Sequence, residues 1–373
     1  MKVMTVVGTR PEIIRLSQVI KRLDSSFGVT QVLVHTGQNW DPKLRDVFFK
    51  DLELRSPDET LNLESTSLGN FLGLLFPFIE SIISKHKPDA FLVLGDTNSA
   101  LSMIVAKRLR IPTYHMEAGN RCFDANVPEE LNRRIVDHTA DFNLAYTEHA
   151  RRNLLAEGIH PRSTLVTGSP LKEVLTVNLD LIEESKVLDD LSVTKNNFFL
   201  LSTHREENVD NQSRLESIFK GIRNIWNVFH LPILVSTHPR LKKVMKTNFR
   251  EFEGVDIRFL EPFGFLDYCR LQLTAKCVLS DSGTIAEESS ILGFPAITMR
   301  NSIERPEALD TGSIEMVDVD SEQIVDAVHR AISRVGMPLL PQDYAITNTS
   351  ERVVNFILST APRQHQWFGI RGK

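Results

Sequence analysis

The chain has 373 residues, of which 42% are hydrophobic and 24% charged, and its formal net charge at pH 7 is −5. This length predicts two domains, each large enough to bury its own core. A slight acidic excess without a polybasic tract argues against nucleic acid or an anionic membrane as a partner, although a small anion can still bind a local basic pocket. The cysteines, Cys122, Cys269 and Cys277, are too scattered for a disulfide framework or a CxxC metal site, which indicates a reducing compartment.

The N-terminus is typical of a core strand rather than of an export signal. Residues 2–7 are mostly apolar and lead directly into Gly8, without a charged region followed by a long apolar one. The longest apolar stretch, residues 71–83, is interrupted by Gly, Pro and Glu and is shorter than the roughly 20 residues that span a bilayer. We therefore expect a cytoplasmic protein with no membrane partner.

Short β-branched runs alternate with helical patterns along the whole chain, which predicts an α/β fold built on parallel sheets. A charged, poorly patterned segment at residues 178–197 separates two similar halves, so a domain boundary is expected near residues 175–195. The last helical stretch, residues 350–360, could belong to either half. The predicted strands are residues 3–7, 30–35, 90–94, 113–116, 142–145, 165–167, 198–202, 233–236, 256–259, 277–279 and 296–298.

Polar residues that directly follow predicted strands are the candidates for a site, because ligands of open parallel sheets bind beyond the carboxyl ends of the strands. After the first strand, Gly8 permits a close backbone approach and Arg10 offers a guanidinium to a phosphate group, but a plain turn explains the segment equally well. Asp96 follows a later strand, where capping of the next helix is the commoner role.

A third cluster combines acids and arginines within a short stretch. Glu117 follows the strand at residues 113–116, and Glu129 and Arg133 lie in a helix that begins near Pro128. A surface lattice of ion pairs is the alternative, yet solvated pairs are less usual at a strand end. We favour a functional role for this cluster.

In the second half, two histidines follow strands. His204 is the best placed for proton transfer or for contact with a phosphate, and His238 is a weaker candidate for a ligand contact. The remaining histidines are expected to be solvated or structural.

A fifth cluster follows the strand at residues 277–279. Ser282 and Gly283 are predicted to begin a helix, whose free N–H groups suit a diphosphate. Glu287 and Glu288 lie one turn further along and could accept ribose hydroxyls, and Arg305 follows later in the chain. A simple N-cap with an acidic first turn is the alternative.

Several chemistries lack their motifs in this sequence. Metal-ligand spacings such as HExxH, a Walker sequence, a dinucleotide fingerprint and a GxSxG nucleophile turn are all missing. Cys122 has no evident histidine partner and is expected to be inert. The sequence therefore predicts an activity that needs neither a metal nor a cofactor.

Taken in order, these clusters resemble the non-hydrolysing UDP-N-acetylglucosamine 2-epimerase family. The matching segments are GTRPE at 8–12, TGQ at 36–38, LGDT at 94–97, EAGxR at 117–121, PEExNR at 128–133, HRxEN at 204–208, DSG…EE at 281–288 and ERPE at 304–307. The resemblance implies two Rossmann-like domains with a cleft between them, as in GT-B glycosyltransferases, over residues 1–175 and 176–350. It also implies that residues 351–373 return to the first domain, that UDP binds mainly to the second domain, and that the protein is a homodimer.

The resemblance also assigns roles to individual residues. On matching positions, it makes Asp96, Glu117 and Glu129 the catalytic acids and His204 a catalytic or phosphate-contacting residue. The implied reaction inverts C2 of a UDP-2-acetamido sugar by elimination and re-addition of UDP. The expected substrate contacts are Arg10, Arg15, Arg133, Ser282, Gly283, Glu288 and Arg305. His238 is added to them because it follows a predicted strand.

A narrower resemblance concerns the product. The segments GNRCFD at 119–124 and FGFLDY at 263–268 resemble capsule and O-antigen epimerases that form UDP-N-acetyl-L-fucosamine. Conversion of UDP-N-acetylglucosamine to UDP-N-acetylmannosamine is the alternative. Arg15, Glu206 and residues 39–41 depart from the family pattern, which leaves open whether a second UDP-sugar activates the enzyme.

Two other classes of protein stay open at this point. A silent nucleotide-sugar-binding protein would keep the residues around Ser282 and lose an acid, and a GT-B glycosyltransferase would not need GTRPE and EAGxR together. Because all the acids are present, an isomerase is predicted.

Overall fold

Two compact units make up the chain. The computed structural model describes residues 1–38, 42–61, 67–244, 254–334, 336 and 339–370. Residues 1–177 and 342–373 form the first unit, and residues 178–341 form the second. Each unit is a parallel sheet with crossover helices, so the predicted α/β class and the two Rossmann-like units are confirmed.

The first unit is built from β1 (Lys2–Val7), α1 (Arg10–Ser25), β2 (Thr30–His35), α2 (Pro42–Asp51), β3 (Glu59–Thr60), α3 (Leu68–His86), β4 (Ala90–Leu94), α4 (Met103–Arg108), β5 (Thr113–Met116), α5 (Pro128–Thr139), β6 (Phe142–Ala145), α6 (Glu148–Ala156), β7 (Thr164–Val166) and α7 (Pro170–Val177). The second unit contains α8 (Leu179–Glu184), α9 (Val187–Asp190), β8 (Phe199–Ser202), α10 (Glu206–Val209), α11 (Gln212–Phe229), β9 (Ile233–Ser236), α12 (Pro239–Val244), β10 (Ile257–Leu260), α13 (Phe265–Thr274), β11 (Cys277–Ser280), α14 (Ile285–Leu292), β12 (Ala296–Met299), α15 (Glu307–Asp310), β13 (Glu315–Val317) and α16 (Ser321–Ile332). The chain ends with α17 (Thr349–Thr360) and α18 (Gln364–Trp367), which belong to the first unit.

Strand order follows the same rule in both sheets. The first sheet runs β3-β2-β1-β4-β5-β6-β7 and the second β10-β9-β8-β11-β12-β13, with parallel pairing throughout. The order reverses between β1 and β4, and again between β8 and β11, so the loops after these strands are neighbours. Every predicted strand is present within one or two residues, whereas the short outer strands β3 and β13 were missed.

The central strands β1, β4, β8 and β11 are mostly apolar and buried on both faces, as expected for parallel sheets covered by helices. Helix α1 shows how a helix covers a sheet, because Ile13, Leu16, Ile20 and Leu23 recur at helical spacing and are fully or almost fully buried.

Helix α17 is part of the first unit's core. Its Phe356 meets Phe142 edge to face at 5.4 Å, and Thr349 donates to the carbonyl oxygens of Thr167 and Ser169 at 3.2 Å. The return to the first unit begins at residue 342, earlier than the residue 351 suggested by the sequence.

Helix α3 has the length and composition of a membrane span, with 19 residues and a mean hydropathy of 1.2, and is longer than the apolar stretch considered in the sequence. Its side chains Phe71, Leu75, Ile79 and Ile82 are nevertheless buried in the core of the first unit. One face of α3 thus packs into the core, while only 28% of the apolar window is buried overall.

Truncation of Ile357 tests the contribution of α17 to stability. Because this side chain is fully buried, Ile357→Ala should lower the free energy of unfolding by about 2–5 kcal/mol. The matched control is Asn355→Ala on the exposed face of the same helix, which should have little effect. Equal denaturation midpoints for the two variants would contradict the packing described here.

Candidate active site

Glu12 links the loops that follow β1 and β4. Its carboxylate accepts the N–H groups of Gly8 and Thr9 at 2.7 and 2.6 Å and the hydroxyl of Thr97 at 2.6 Å. Burial raises the pKa of Glu12 to about 7, because desolvation outweighs these hydrogen bonds. Sequence reasoning quoted Glu12 within GTRPE but gave it no role, although the Thr9-to-Glu12 spacing of a capping box was the available signal.

Gly8 is the point of closest backbone approach in this part of the sheet. A Cβ atom at this position would lie 2.0 Å from Ser99 Oγ and 2.3 Å from Thr36 Oγ1. These two hydroxyls are 2.7 Å apart and hydrogen bonded. Only glycine fits, as the sequence suggested, and Arg10 follows it with its guanidinium 5.7 Å from the centre of the Phe48 ring.

Asp96 and Glu117 follow neighbouring strands and each has an arginine partner. Arg133 pairs with Asp96 through Nε at 3.1 Å and through a second, shorter contact from its terminal nitrogen. Arg15 Nε lies 3.8 Å from Glu117 Oε2, and both arginine side chains are about 95% buried or more. Arg15 and Arg133 thus hold carboxylates, and the substrate contacts predicted for them from the sequence stay predictions.

Glu117 has a backbone conformation that is unusual for its residue type. Its φ angle is +63°, in the left-handed region that costs a non-glycine residue roughly 1–2 kcal/mol. The side chain is 12% exposed and accepts a hydrogen bond from Asn120 at 3.3 Å. A strained acid at a strand end is consistent with a catalytic role.

The two adjacent glutamates at the start of α5 have different environments. Glu129, the predicted acid, is exposed, whereas Glu130 is buried and pairs with Arg133 at 2.8 Å. Burial opposes ionisation of Glu130, but the Cys122 N–H together with Arg133 and Arg134 lowers its pKa below the usual range. Glu130 is therefore a structural anchor that the sequence did not reveal, and Cys122 lies against it rather than being isolated.

In the second unit, Asp281 organises the loop that carries His204. This fully buried carboxylate accepts the N–H groups of His204 and Arg205 at 3.0 and 3.1 Å and the hydroxyl of Thr203 at 2.6 Å. The His204 Nδ1 atom lies 3.4 Å from the same carboxylate, and the ring of His238 is 5.5 Å from that of His204. The two predicted histidines are thus brought together.

Three guanidinium groups surround Gly283. A Cβ atom at Gly283 would lie 3.2 Å from the terminal nitrogens of Arg205 and Arg305 and 3.4 Å from that of Arg300. Glu304 pairs with Arg300 at 2.5 Å and with Arg205 at 3.4 Å, and Arg305 pairs with Glu287. Arg205 and Arg300 were missed because their positions along the sequence do not show that they converge.

Two expectations about this segment are wrong in detail. Helix α14 begins at Ile285, so Ser282 and Gly283 form a turn before the helix instead of its first residues. Glu287 is fully buried and pairs with Arg305 Nε at 3.4 Å, so it cannot accept a ribose hydroxyl, whereas Glu288 is partly exposed and accepts from Gln272 at 2.6 Å.

Within the described residues, no group of three or more His, Cys, Asp or Glu side chains is arranged to hold a metal ion. Residues 39–41, which depart from the family pattern, lie outside the described part of the chain.

Comparison with known proteins decides the family. The sequence model of the UDP-N-acetylglucosamine 2-epimerase family matches residues 21–358. The chain belongs to this family. It is accordingly an isomerase, as the motifs predicted, and the resemblance at the level of the family is confirmed.

Individual relatives cover nearly the whole chain. A solved UDP-N-acetylglucosamine 2-epimerase from Rickettsia bellii is 42% identical, with a TM-score of 0.91 over 99% of both chains. The Methanocaldococcus jannaschii enzyme, solved with UDP-GlcNAc and UDP, is 36% identical with a TM-score of 0.90, over 96% of this chain and 100% of that one. A Pseudomonas aeruginosa relative, 30% identical over 90% of this chain and 93% of its own length, is a UDP-2,3-diacetamido-2,3-dideoxy-D-glucuronate 2-epimerase. Family membership therefore does not by itself define the sugar.

The two segments behind the narrower resemblance have different positions in this epimerase. Residues 263–268 lead into α13, where Phe265 is buried and Tyr268 packs against the core of the second unit. Residues 119–124 include Phe123, which is 73% exposed and has a φ angle of +55°. Residues 119–124 therefore present an exposed aromatic ring in the chain segment that follows Glu117.

The raised pKa of Glu12 predicts a pH-dependent stability. The pKa of this carboxyl group is about 7 in the folded state and 4.5 in the unfolded state, so the folded protein binds the proton more tightly. The resulting stabilisation is complete below pH 4.5 and is lost as the pH rises through 7. Glu12→Gln should therefore become more stable relative to the wild type between pH 5 and 7, by on the order of 1.4 kcal/mol per pH unit at most. Denaturant unfolding at several pH values measures this difference.

The control for that experiment is Glu80→Gln, at an exposed position on α3. Its difference from the wild type should not change over the same pH range. A constant difference for Glu12→Gln as well would show that Glu12 does not titrate there.

Proposed function

We propose that this epimerase inverts C2 of a UDP-2-acetamido sugar by eliminating UDP and adding it back. The observation that carries the proposal is the pair of acids Asp96 and Glu117 on neighbouring strand ends, each paired with a buried arginine. The Methanocaldococcus jannaschii relative solved with UDP-GlcNAc and UDP supports a UDP-sugar as substrate.

The chemistry requires such a route because C2 of the closed sugar ring is not next to a carbonyl group. Direct loss of its proton would leave an unstabilised carbanion. If a base removes the C2 proton while the C1–O bond breaks, the electron pair of the C–H bond forms a C1=C2 double bond and UDP leaves with the C1–O pair. The resulting 2-acetamidoglycal then receives a proton on its opposite face as UDP adds back, so no net oxidation occurs.

Asp96 and Glu117 are the proposed proton-transfer groups. Asp96 is held by its pair with Arg133 and Glu117 by its pair with Arg15, and Asn120 helps to orient Glu117 by donating a hydrogen bond to it. Glu129 is exposed at the start of α5 and remains a candidate for the third acid.

The proposed contact for the diphosphate is the turn at Ser282 and Gly283. Arg205, Arg300 and Arg305 point their terminal nitrogens at this turn and match the charge of a departing diphosphate. His204 is partly exposed beside the turn's buried Asp281 and can contact the same group, while Glu288 is the proposed ribose contact. His238 supports His204 by ring contact.

For the sugar, we propose formation of UDP-N-acetyl-L-fucosamine, with conversion of UDP-N-acetylglucosamine to UDP-N-acetylmannosamine as the second candidate. The exposed ring of Phe123 can cover an apolar 6-deoxy carbon, which favours the first. Incubating the protein with each UDP-sugar in D2O and observing C2 by NMR distinguishes them. Turnover of the gluco compound alone would reject the first candidate.

The homodimer and the cytoplasmic location predicted from the sequence remain proposals. Helix α3 exposes Leu68 and Leu74, at 54% and 42%, which suits contact with a second copy of the chain. Sedimentation velocity would determine the oligomeric state.

Replacement of the acids tests the mechanism. Asp96→Asn and Glu117→Gln remove the proton-transfer group and keep the side-chain shape, so turnover should fall by roughly 100- to 10,000-fold while UDP binding is kept. Initial rates and calorimetry with UDP measure the two effects. In the wild type, the epimer should carry deuterium from D2O at C2.

The matched control is Glu183→Gln, which removes an exposed carboxylate on α8 of the second unit. Retention of the original C2 hydrogen in the product, or wild-type turnover in either acid variant, would reject elimination by these residues.

A second test concerns the arginines around Gly283. Gly283→Asp would place a carboxylate among guanidinium groups 3.2 Å from the new Cβ, neutralising the charge that a diphosphate would meet. The UDP dissociation constant should rise at least tenfold. Gly283→Ala adds only a methyl group against flexible side-chain ends and should weaken UDP binding less. Equal UDP affinities for the wild type and both variants would place UDP elsewhere.

A further inference from the structure

His115 lies in β5, between the loops that carry Asp96 and Glu117, and its side chain is fully buried. Its Nε2 atom donates to the carbonyl oxygen of Gly95 at 2.7 Å, and its Nδ1 atom lies 2.8 Å from a carboxylate oxygen of Asp137. One ring therefore joins the residue before Asp96 to helix α5.

Asp137 extends this connection to the loop of the second acid. Its carboxylate accepts the N–H of Gly119 at 3.1 Å, two residues after Glu117, and pairs with Arg121 at 2.7 Å. Gly119 has a φ angle of +82°, and a Cβ atom there would lie 2.3 Å from the carbonyl oxygen of Ala150. The loop therefore follows a path that only glycine allows, with Asp137 as its anchor.

We propose that His115 is a positioning residue that sets the separation of the Asp96 and Glu117 carboxylates. The inference rests on the proposed function and adds to it a buried residue that does not touch the substrate. The left-handed backbone of Glu117 is costly, and such a conformation persists only where its surroundings hold it. Because a displacement of 1 Å at a reacting group can cost roughly 100-fold in rate, the ring controls turnover from a distance.

Three substitutions separate the two contacts of the ring. His115→Asn has its amide nitrogen near the position of Nδ1 and keeps the donor to Asp137, whereas His115→Gln reaches the position of Nε2 and keeps the donor to Gly95. His115→Phe fills the space and makes neither contact. We expect kcat to fall by roughly 100-fold for the Phe variant and by less for the other two, with KM and the UDP dissociation constant within a few-fold of the wild type.

The matched control is Asn143→Leu. Asn143 is buried in β6 and donates to the carbonyl oxygen of Asp137 at 3.0 Å, so this variant loses one buried hydrogen bond beside the same helix residue. The contacts of the His115 ring stay intact. Its thermal stability should fall while kcat per folded protein is kept.

A further readout separates positioning from stability. When the acids are misaligned, the glycal should escape before it is reprotonated, so the ratio of free glycal and UDP to epimer should rise in the His115 variants and not in Asn143→Leu. If the Phe variant does not fold, the Asn and Gln variants together with Asp137→Asn carry the test.

The outcomes distinguish this inference from the proposed function. If the wild type exchanges the C2 hydrogen and the His115 variants lose thermal stability but keep kcat and the product ratio, only the positioning role is rejected. If the wild type exchanges no C2 hydrogen with any UDP-2-acetamido sugar, the proposed function fails and the inference fails with it.

Discussion

Buried carboxylates that accept main-chain N–H groups hold the strand-end loops of both units. Glu12 binds the loop after β1, Asp137 the loop after β5, and Asp281 the loop after β8. Without these acceptors the N–H groups would be desolvated and unpaired, at a cost of about 1–3 kcal/mol each. These loops lie beyond the ends of the strands, where the hydrogen bonds of the sheet do not determine their conformation. Each carboxylate supplies the hydrogen bonds that do.

The two units use charge in opposite ways. In the first, Asp96 and Glu117 are each paired with a buried arginine, in a place where an unpaired carboxylate would be costly. In the second, three guanidinium groups converge on Gly283, with Glu304 and the buried Glu287 as their counter-charges. In the proposed reaction, the proton-transfer groups and the site of the anionic leaving group are therefore built on separate sheets.

Much of this arrangement could be predicted from the sequence, because strand runs and the residues directly after them are local features. All strands except the outer β3 and β13, as well as Gly8 and the acids Asp96 and Glu117, were found in that way. Contacts between residues that are distant in the sequence could not be predicted in this way, because they depend on how the helices pack. Examples are the arginines that converge on Gly283 and the different environments of Glu129 and Glu130. The start of α14 was placed two or three residues early because a Ser-Gly turn and a helix start share the same local signal.

The position of α17 affects the order in which the units can form during synthesis. The second unit is continuous in sequence, over residues 178–341, so all its strands and helices are available as soon as that segment has been made. The first unit lacks α17 until residue 360 has been added, and the aromatic ring of Phe142 lacks its partner Phe356 until then. The domain that begins the chain is therefore the one completed last, and an incomplete chain exposes the surface of the first sheet that α17 would cover.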